Sequence, residues 1–217
     1  MQSQKTAFLV SEGDAYFDRN PKQIDCDKEP IIASMNDLGI KPSSILEIGS
    51  SSGARLNCIQ KLSGAECHGV DPSAKAVEYG RAHYPNINLL QGSADNLAFP
   101  GGRFDLVIFG FCLYLCDPSD YFRIAQEADR VLRDKGFLII KDFTSAVPLK
   151  GTYNHLPGVF SHKLDWTKMF VWNPAYRLLS RRYQEHAQPY GFHPQEAVVI
   201  DVLRKDHENA FLSNPYT

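Results

Sequence analysis

A chain of 217 residues is long enough for one domain with a three-layer core, and 43% hydrophobic with 22% charged residues is the composition of a globular protein. A net charge of −2, with no basic run beyond Arg181-Arg182, supplies no field for nucleic acid or an anionic membrane. The opening "MQSQKTAFLV" lacks the features of a signal peptide, and the longest nearly apolar run, Leu106 to Cys116, falls short of the roughly 20 residues that span a bilayer, so a cytoplasmic monomer or homodimer is expected.

Residues 1–39 read as a helical cap, with one helix around Ala15 to Asn20 and another from about Lys28 to Leu38. "SILEIG" (44–49) is a strand buried on both faces, since its apolar residues do not alternate. Leu56, Cys58, Ile59 and Leu62 then recur at helical spacing. "AECHGVD" (65–71) is a second strand, and Pro72-Ser73 opens a helix through Ala82. "NINLLQG" (86–92) and "FDLVIFG" (104–110) are the third and fourth strands. Asp117-Pro118-Ser119 starts a helix striped by Phe122, Ala125, Ala128 and Leu132, which Gly136 ends before a fifth strand, "FLIIKDF" (137–143). Residues 144–175 show little periodicity apart from a short helix, Asp165 to Val171, capped by Asp165. "AYRLLSRRYQEH" and "EAVVIDVLRKD" leave no room for a crossover and should pair as an antiparallel hairpin over 176–205. Strands alternating with helices predict an open, mostly parallel α/β sheet with helices on both faces. The five cysteines, at 26, 58, 67, 112 and 116, have no CxxC spacing, so reduced thiols are expected rather than disulfides or a metal site.

In such sheets ligands bind beyond the carboxyl ends of the strands, and there the acids and glycines collect. Glu47 and Gly49 follow the first strand, Asp71 the second and Asp95 the third. Asp71 suits a carboxylate that accepts both hydroxyls of a ribose. A nicotinamide dinucleotide calls for G-x-G-x-x-G, with a helix N-terminus aimed at pyrophosphate. Here the loop is Gly49-Ser50-Ser51-Ser52-Gly53, with an acid two residues before it. A carboxylate there repels a pyrophosphate and suits a cationic nucleoside with an amino-acid tail, S-adenosylmethionine.

"LEIGSSSG", "HGVDPS", "QGSADNLAFPGGRFDLVIFGFCLYLCDP" and "AQEADRVLRDKGFLIIKD" occur in order and together resemble the motifs of the class I S-adenosylmethionine-dependent methyltransferases over about residues 43–143. Ser51 stands where the family's loop has its middle glycine. The resemblance implies a Rossmann-like seven-stranded sheet with its last strand antiparallel. It also implies cofactor contacts from Glu47, Gly49, Ser50 and Gly53, from Asp71 and Pro72 at the ribose, from Ala94 and Asp95 at the adenine, and from Phe109. Tyr16 and Arg19 match an aromatic and a basic residue that family members place over the methionine tail. S-adenosylhomocysteine is the implied product.

The place after the fourth strand holds "FGFCLYLC" rather than the [N/D/S]-P-P-[Y/F/W] of amino-methylating nucleic-acid enzymes, which favours a small-molecule acceptor such as an oxygen of a sugar, a nucleotide-linked precursor or a secondary metabolite. A hydroxyl acceptor calls for a general base, and His155, His162 and Asp142 are the candidates, being near or at the end of the fifth strand. The acceptor pocket and its lid are expected from 144–172 with the N-terminal 39. The rival classes are an inactive cofactor-binding partner subunit and a nicotinamide-dependent oxidoreductase.

Overall fold

The computed structural model describes residues 3–20, 23–185, 197–211 and 213–214. Its centre is a seven-stranded sheet built from β1 (Ser44–Ile48), β2 (Glu66–Asp71), β3 (Ile87–Gln91), β4 (Phe104–Gly110), β5 (Leu132–Phe143), β8 (Tyr176–Glu185) and β9 (Ala197–Lys205), in the order β3-β2-β1-β4-β5-β9-β8. Neighbours from β3 to β5 pair in parallel. β9 is antiparallel to both β5 and β8, as the hairpin reading expects. Residues 186–196, which join β8 to β9 in sequence, lie outside the described residues.

Both sheet faces are covered, which is why the central strands read as apolar runs that do not alternate with polar residues. Ile45, Leu106, Ile108 and Ile139 pack under α3 (Pro30–Asp37), α4 (Ala54–Ser63) and α5 (Ala74–His83). Leu46, Ile48, Val107, Phe109 and Leu138 point the other way, against α6 (Tyr121–Val131) and the segment after β5. β1 sits where the chain turns back, with β2 on one side and β4 on the other, so a crevice opens at their carboxyl ends.

Several local expectations are corrected. The first helix begins at Gln4 rather than near Ala15: α1 (Gln4–Ala7) runs through a π turn at Phe8–Glu12 into α2 (Gly13–Arg19). The second becomes a 3₁₀ turn, Cys26–Lys28, followed by α3, because Pro30 fits a helix's first turn and Glu29 caps it. Leu62 is 67% exposed and Phe122 87%, so neither belongs to a buried stripe; α6 buries Ile124, Ala128 and Val131 instead. That helix stops at Val131, and Leu132 already opens β5, with Lys135 in the left-handed region at φ +59°. The segment after β5 holds a two-stranded hairpin, β6 (Leu149–Thr152) with β7 (Phe160–Lys163), and Asp165 caps a 3₁₀ turn over Trp166–Met169. Cys26 and Cys58 are joined in a disulfide, because the turn before α3 lies against α4 with the two Cα atoms 5.6 Å apart; Cys67, Cys112 and Cys116 are free.

Candidate functional site

A cavity of about 470 Å³ lies at the carboxyl ends of β1, β2 and β4, roofed by the N-terminal helix. Its floor is the β1–α4 loop. Gly49 and Ser50 both donate to the Val70 carbonyl, at 2.8 and 3.2 Å, which ties the loop to β2. Gly49 needs φ +74°, and a Cβ there would lie 2.6 Å from Cys112 Cβ, so only glycine fits. Ser51, where the family has glycine, takes φ +48° and donates its amide to Asp71 Oδ2 at 2.7 Å.

Asp71 also accepts the Ser73 amide on Oδ1, at 2.9 Å. Each carboxylate oxygen thus keeps a lone pair for a ligand hydroxyl. Burial outweighs these two amide bonds and pushes the carboxyl up to about 6. Tyr16, Gly49, Ser50, Asp71, Pro72, Ala94 and Asp95 all line the cavity.

Other candidates stand back from it. Glu47 is fully buried behind the loop, where its Oε1 contacts the Arg55 guanidinium and its Oε2 has no hydrogen-bond partner among the described residues. Burial, opposed by Arg55, lifts its carboxyl to about 7. The charge expected to face a cationic ligand is therefore turned toward Arg55. Gly53 takes φ +78° at the start of α4 with its Cα facing Leu89 and Ile87, and Phe109 is buried in the core. Arg19 pairs with Glu12 and donates to the Tyr153 hydroxyl at 3.0 Å.

The three candidate bases are not among the cavity-lining residues. Asp142 is fully buried and accepts the amides of Leu113, at 2.7 Å, and Phe143, at 2.8 Å, and burial raises it to about 7. Alternation along β5 explains this: Asp142 faces Leu113, while Lys141 faces the cavity. His155 sits in the β6–β7 hairpin against Tyr153, rings 5.2 Å apart. His162 lies on β7, where burial and Lys150 lower its basicity.

Lys141 bonds Glu29 at 3.2 Å, and Glu29 in turn faces Arg55 Nε at 3.2 Å. Burial and the neighbouring Arg55 lower the Lys141 ammonium. With Gln184 and Val198, Lys141 and Arg55 line the far end of the cavity from Asp95. Phe111, just past β4, holds φ +73°, a conformation that a bulky residue rarely adopts, and packs against Phe143 and Tyr114 with centroids 4.9 and 5.4 Å away.

The roof is sewn down on its outer side. Gln4, 4% exposed, donates to the carbonyls of Leu115 (2.8 Å) and Phe160 (3.1 Å) and accepts the Phe160 amide (2.7 Å). Glu12 is buried beneath Arg19 and the Tyr153 hydroxyl, which donates to it at 2.8 Å. Gly13 crosses Pro72-Ser73 so closely that a Cβ would come within 3.1 Å of Ser73 N. Residues 144–175 contribute nothing to the cavity wall and instead hold the roof from behind. Sequence reasoning missed Lys5, Phe8, Arg55, Phe111, Lys141 and Gln184. For Phe8, a signal existed: Phe8, Leu9, Gly13, Tyr16 and Phe17 fall on one helical face.

Among the described residues no cluster of three or more His, Cys, Asp or Glu side chains is arranged for a metal, and no helix is long and apolar enough to cross a membrane.

The family described as "Methyltransferase domain" matches residues 45–136. A ubiquinone/menaquinone biosynthesis C-methyltransferase of Coxiella burnetii is 29% identical over 120 residues, covering 51% of this chain and 47% of that protein. A demethylmenaquinone methyltransferase of Staphylococcus haemolyticus is 32% identical, over 48% of this chain and 46% of its own length. The chain thus spans about half the length of these curated relatives. Among solved structures, the Burkholderia thailandensis 1,6-didemethyltoxoflavin-N1-methyltransferase, with bound 1,6-didemethyltoxoflavin and S-adenosylhomocysteine, shares the fold at TM-score 0.68 and 13% identity over 93% of this chain and 85% of that one.

Proposed function

Since the chain belongs to the class I S-adenosylmethionine-dependent methyltransferases, we propose that it transfers a methyl group from S-adenosylmethionine to a small-molecule acceptor held in the same cavity. The observation that carries this is the Asp71 carboxylate, which lines the cavity at the end of β2 beside the glycine turn of β1. The residues fit the group. Asp71 takes the ribose hydroxyls, and Phe8, Val70, Ala94, Leu115 and Ile124 give the base an apolar slot with Asp95 at its edge. Gly49 to Ser52, Gly110 and Tyr16 take the amino-acid tail.

Bound there, S-adenosylmethionine supplies an electrophilic methyl group on a sulfonium centre. The protein contributes alignment and the exclusion of water, which the roof formed by α1 and α2 provides. The acceptor lies at the other end, with Phe111 and Val198 against its apolar part and Lys141 and Gln184 able to hold a polar atom. An oxygen acceptor of a sugar, nucleotide-linked or secondary metabolite fits this polar end. A carbon acceptor is the second reading, because curated relatives are named C-methyltransferases. His155, His162 and Asp142 act on the acceptor only if the roof or hairpin moves, whereas Lys141 already faces it.

Calorimetry with S-adenosylhomocysteine and with NAD tests the first part. Binding of the former alone is expected; binding of NAD alone would sink the methyltransferase reading. A screen for methyl transfer to sugar, nucleotide, phenol and quinol pools then identifies the acceptor, and an active protein excludes the inactive-subunit alternative.

A further inference from the structure

We propose that Arg55 and Lys141 form an oxyanion subsite at the acceptor end of the cavity, so that the acceptor is an acidic hydroxyl compound, a phenol or an enol, bound and methylated as its anion. This names the substrate class of the methyl transfer proposed above and rests on that reading.

The cavity is polarised from end to end. Among the described residues its lining acids, Asp71, Asp95, Asp117 and Asp120, gather at the nucleoside end, Asp117 and Asp120 beside the start of the roof. At the other end the charged lining residues are Arg55, on α4, and Lys141, on β5. Their counter-charges stand behind them: Glu29, before α3, and Glu47, on β1, are buried and are not among the lining residues. The pairing is incomplete. Arg55 Nη1 donates to Glu47 Oε1, while its Nε faces Glu29 Oε1 at 3.2 Å without the geometry of a hydrogen bond. Lys141 Nζ donates to that same Glu29 oxygen at 3.2 Å, and the oxygen also accepts the Ile31 amide at 3.4 Å. One carboxylate oxygen thus serves both cations, and Lys141 spends on it one donor of three. Glu47, lifted by burial to about 7, is only partly ionised near neutral pH, which leaves the four groups with a surplus of positive charge. An anion beside Lys141 restores the ammonium that burial and Arg55 disfavour. The Cys112 thiol, against Gly49, is pushed up by burial and stays neutral, and Gln184 of β8 and Val198 of β9 bring no charge.

Magnitude selects the class of hydroxyl. A nearby opposite charge moves a pKa by about 1–3, so two cations bring a phenol from about 10 to near neutrality. A sugar hydroxyl is far less acidic, stays protonated there and needs a base, and none of His155, His162 and Asp142 lines the cavity. An acidic hydroxyl needs none. Its proton leaves to solvent on binding, and an oxygen lone pair forms the O–C bond. The S–C bond breaks with its electron pair kept by sulfur, so the product cofactor is a neutral thioether. The methylated ether is uncharged too, and loses its attraction to Arg55 and Lys141. The competing account is that the two cations merely neutralise Glu29 and Glu47 within the cavity wall.

The probe is 4-nitrophenol, strongly coloured as its anion and pale as the neutral phenol, added to the whole chain saturated with S-adenosylhomocysteine. Absorbance titrations across pH give the bound probe's apparent pKa for wild type, Lys141→Met and Lys141→Arg, with circular dichroism confirming the fold. Wild type should bind the anion at least about tenfold tighter than the neutral form, read as an apparent pKa lower than the free probe's by about 1 or more. 4-Nitroanisole, which cannot ionise, should bind more weakly than the phenol. Lys141→Met should lose about tenfold of the preference for the anion, while Lys141→Arg keeps most of it. The wild-type titration decides by itself should Lys141→Met not fold. A bound pKa at or above the free probe's, an unchanged pKa in folded Lys141→Met, or no binding of the probe to protein that binds S-adenosylhomocysteine overturns the proposal. A chain that does not bind S-adenosylhomocysteine at all removes the methyltransferase reading, and this inference falls with it.

Discussion

Asp71→Asn is the sharpest test of the cofactor end of the cavity. In the wild type each carboxylate oxygen accepts one backbone amide, from Ser51 at 2.7 Å and from Ser73 at 2.9 Å. Asparagine keeps the shape but replaces one oxygen with an NH₂ that must face an amide donor, and it removes the charge that two ribose hydroxyls would meet. Losing a charge-assisted hydrogen bond costs about 1.5–3 kcal/mol, or about 10- to 150-fold in Kd for S-adenosylhomocysteine. The pH dependence adds an independent check. The Asp71 carboxyl is raised to about 6, chiefly by burial, and hydroxyl donors favour its ionised form. Affinity should therefore be flat above that value and fall as pH drops through it, by at most about tenfold per unit. Asp71→Asn should abolish that dependence. Isothermal calorimetry from about pH 5 to pH 8 measures both effects. A folded Asp71→Asn protein with wild-type affinity, or a wild type whose affinity is independent of pH across that window, would refute the placement of the ribose at Asp71.

Three other outcomes are expected. The Cys26–Cys58 disulfide closes a loop of sequence separation 32, so reducing it should cost about 3–4 kcal/mol and lower the melting temperature, whereas Cys58→Ser should melt alike with and without reductant. Gln4→Ala strips the roof of its bonds to Leu115 and Phe160, so amide exchange across residues 4–19 should quicken while the sheet amides stay protected. Asp142 has its carboxyl raised by burial from 3.8 to about 7, so the native state binds the extra proton; the stability it contributes is complete below 3.8 and is lost as pH rises through about 7. The melting temperature should fall between about pH 4 and pH 7 and level off above, and fall less steeply in Asp142→Asn; an equal slope in that variant would remove Asp142 as the cause.

The strands were legible because burial on both faces leaves a simple mark. "SILEI" and "FDLVIFG" carry it in apolar residues that do not alternate with polar ones, and the acid at the end of β2 and the glycine turn after β1 mark the crevice. Which side chain at the end of β5 lines the cavity was not legible, because one residue's difference in register decides whether Lys141 or Asp142 faces it. Gln4 looks like an exposed terminal residue until its partners at Leu115 and Phe160 are known. Glu47 read as an open charge because Arg55, eight positions on, gives no sign in sequence that it turns back from α4. The disulfide depends on the path of the chain before α3, which no local pattern encodes.

The position of β9 bears on how the chain is made. It enters the sheet between β5 and β8, although it is later in sequence than both, and nearly all its side chains are buried. Until residues 197–205 leave the ribosome, β5 presents an unpaired edge and β8 has no strand in the main sheet to join. A nascent polypeptide can thus assemble β1 to β5 early, but it carries a sticky border through the synthesis of some sixty further residues, a long-range pairing of the slow, aggregation-exposed kind. Release of a product truncated before Ala197 should therefore yield chaperone-bound or insoluble material rather than a smaller folded protein.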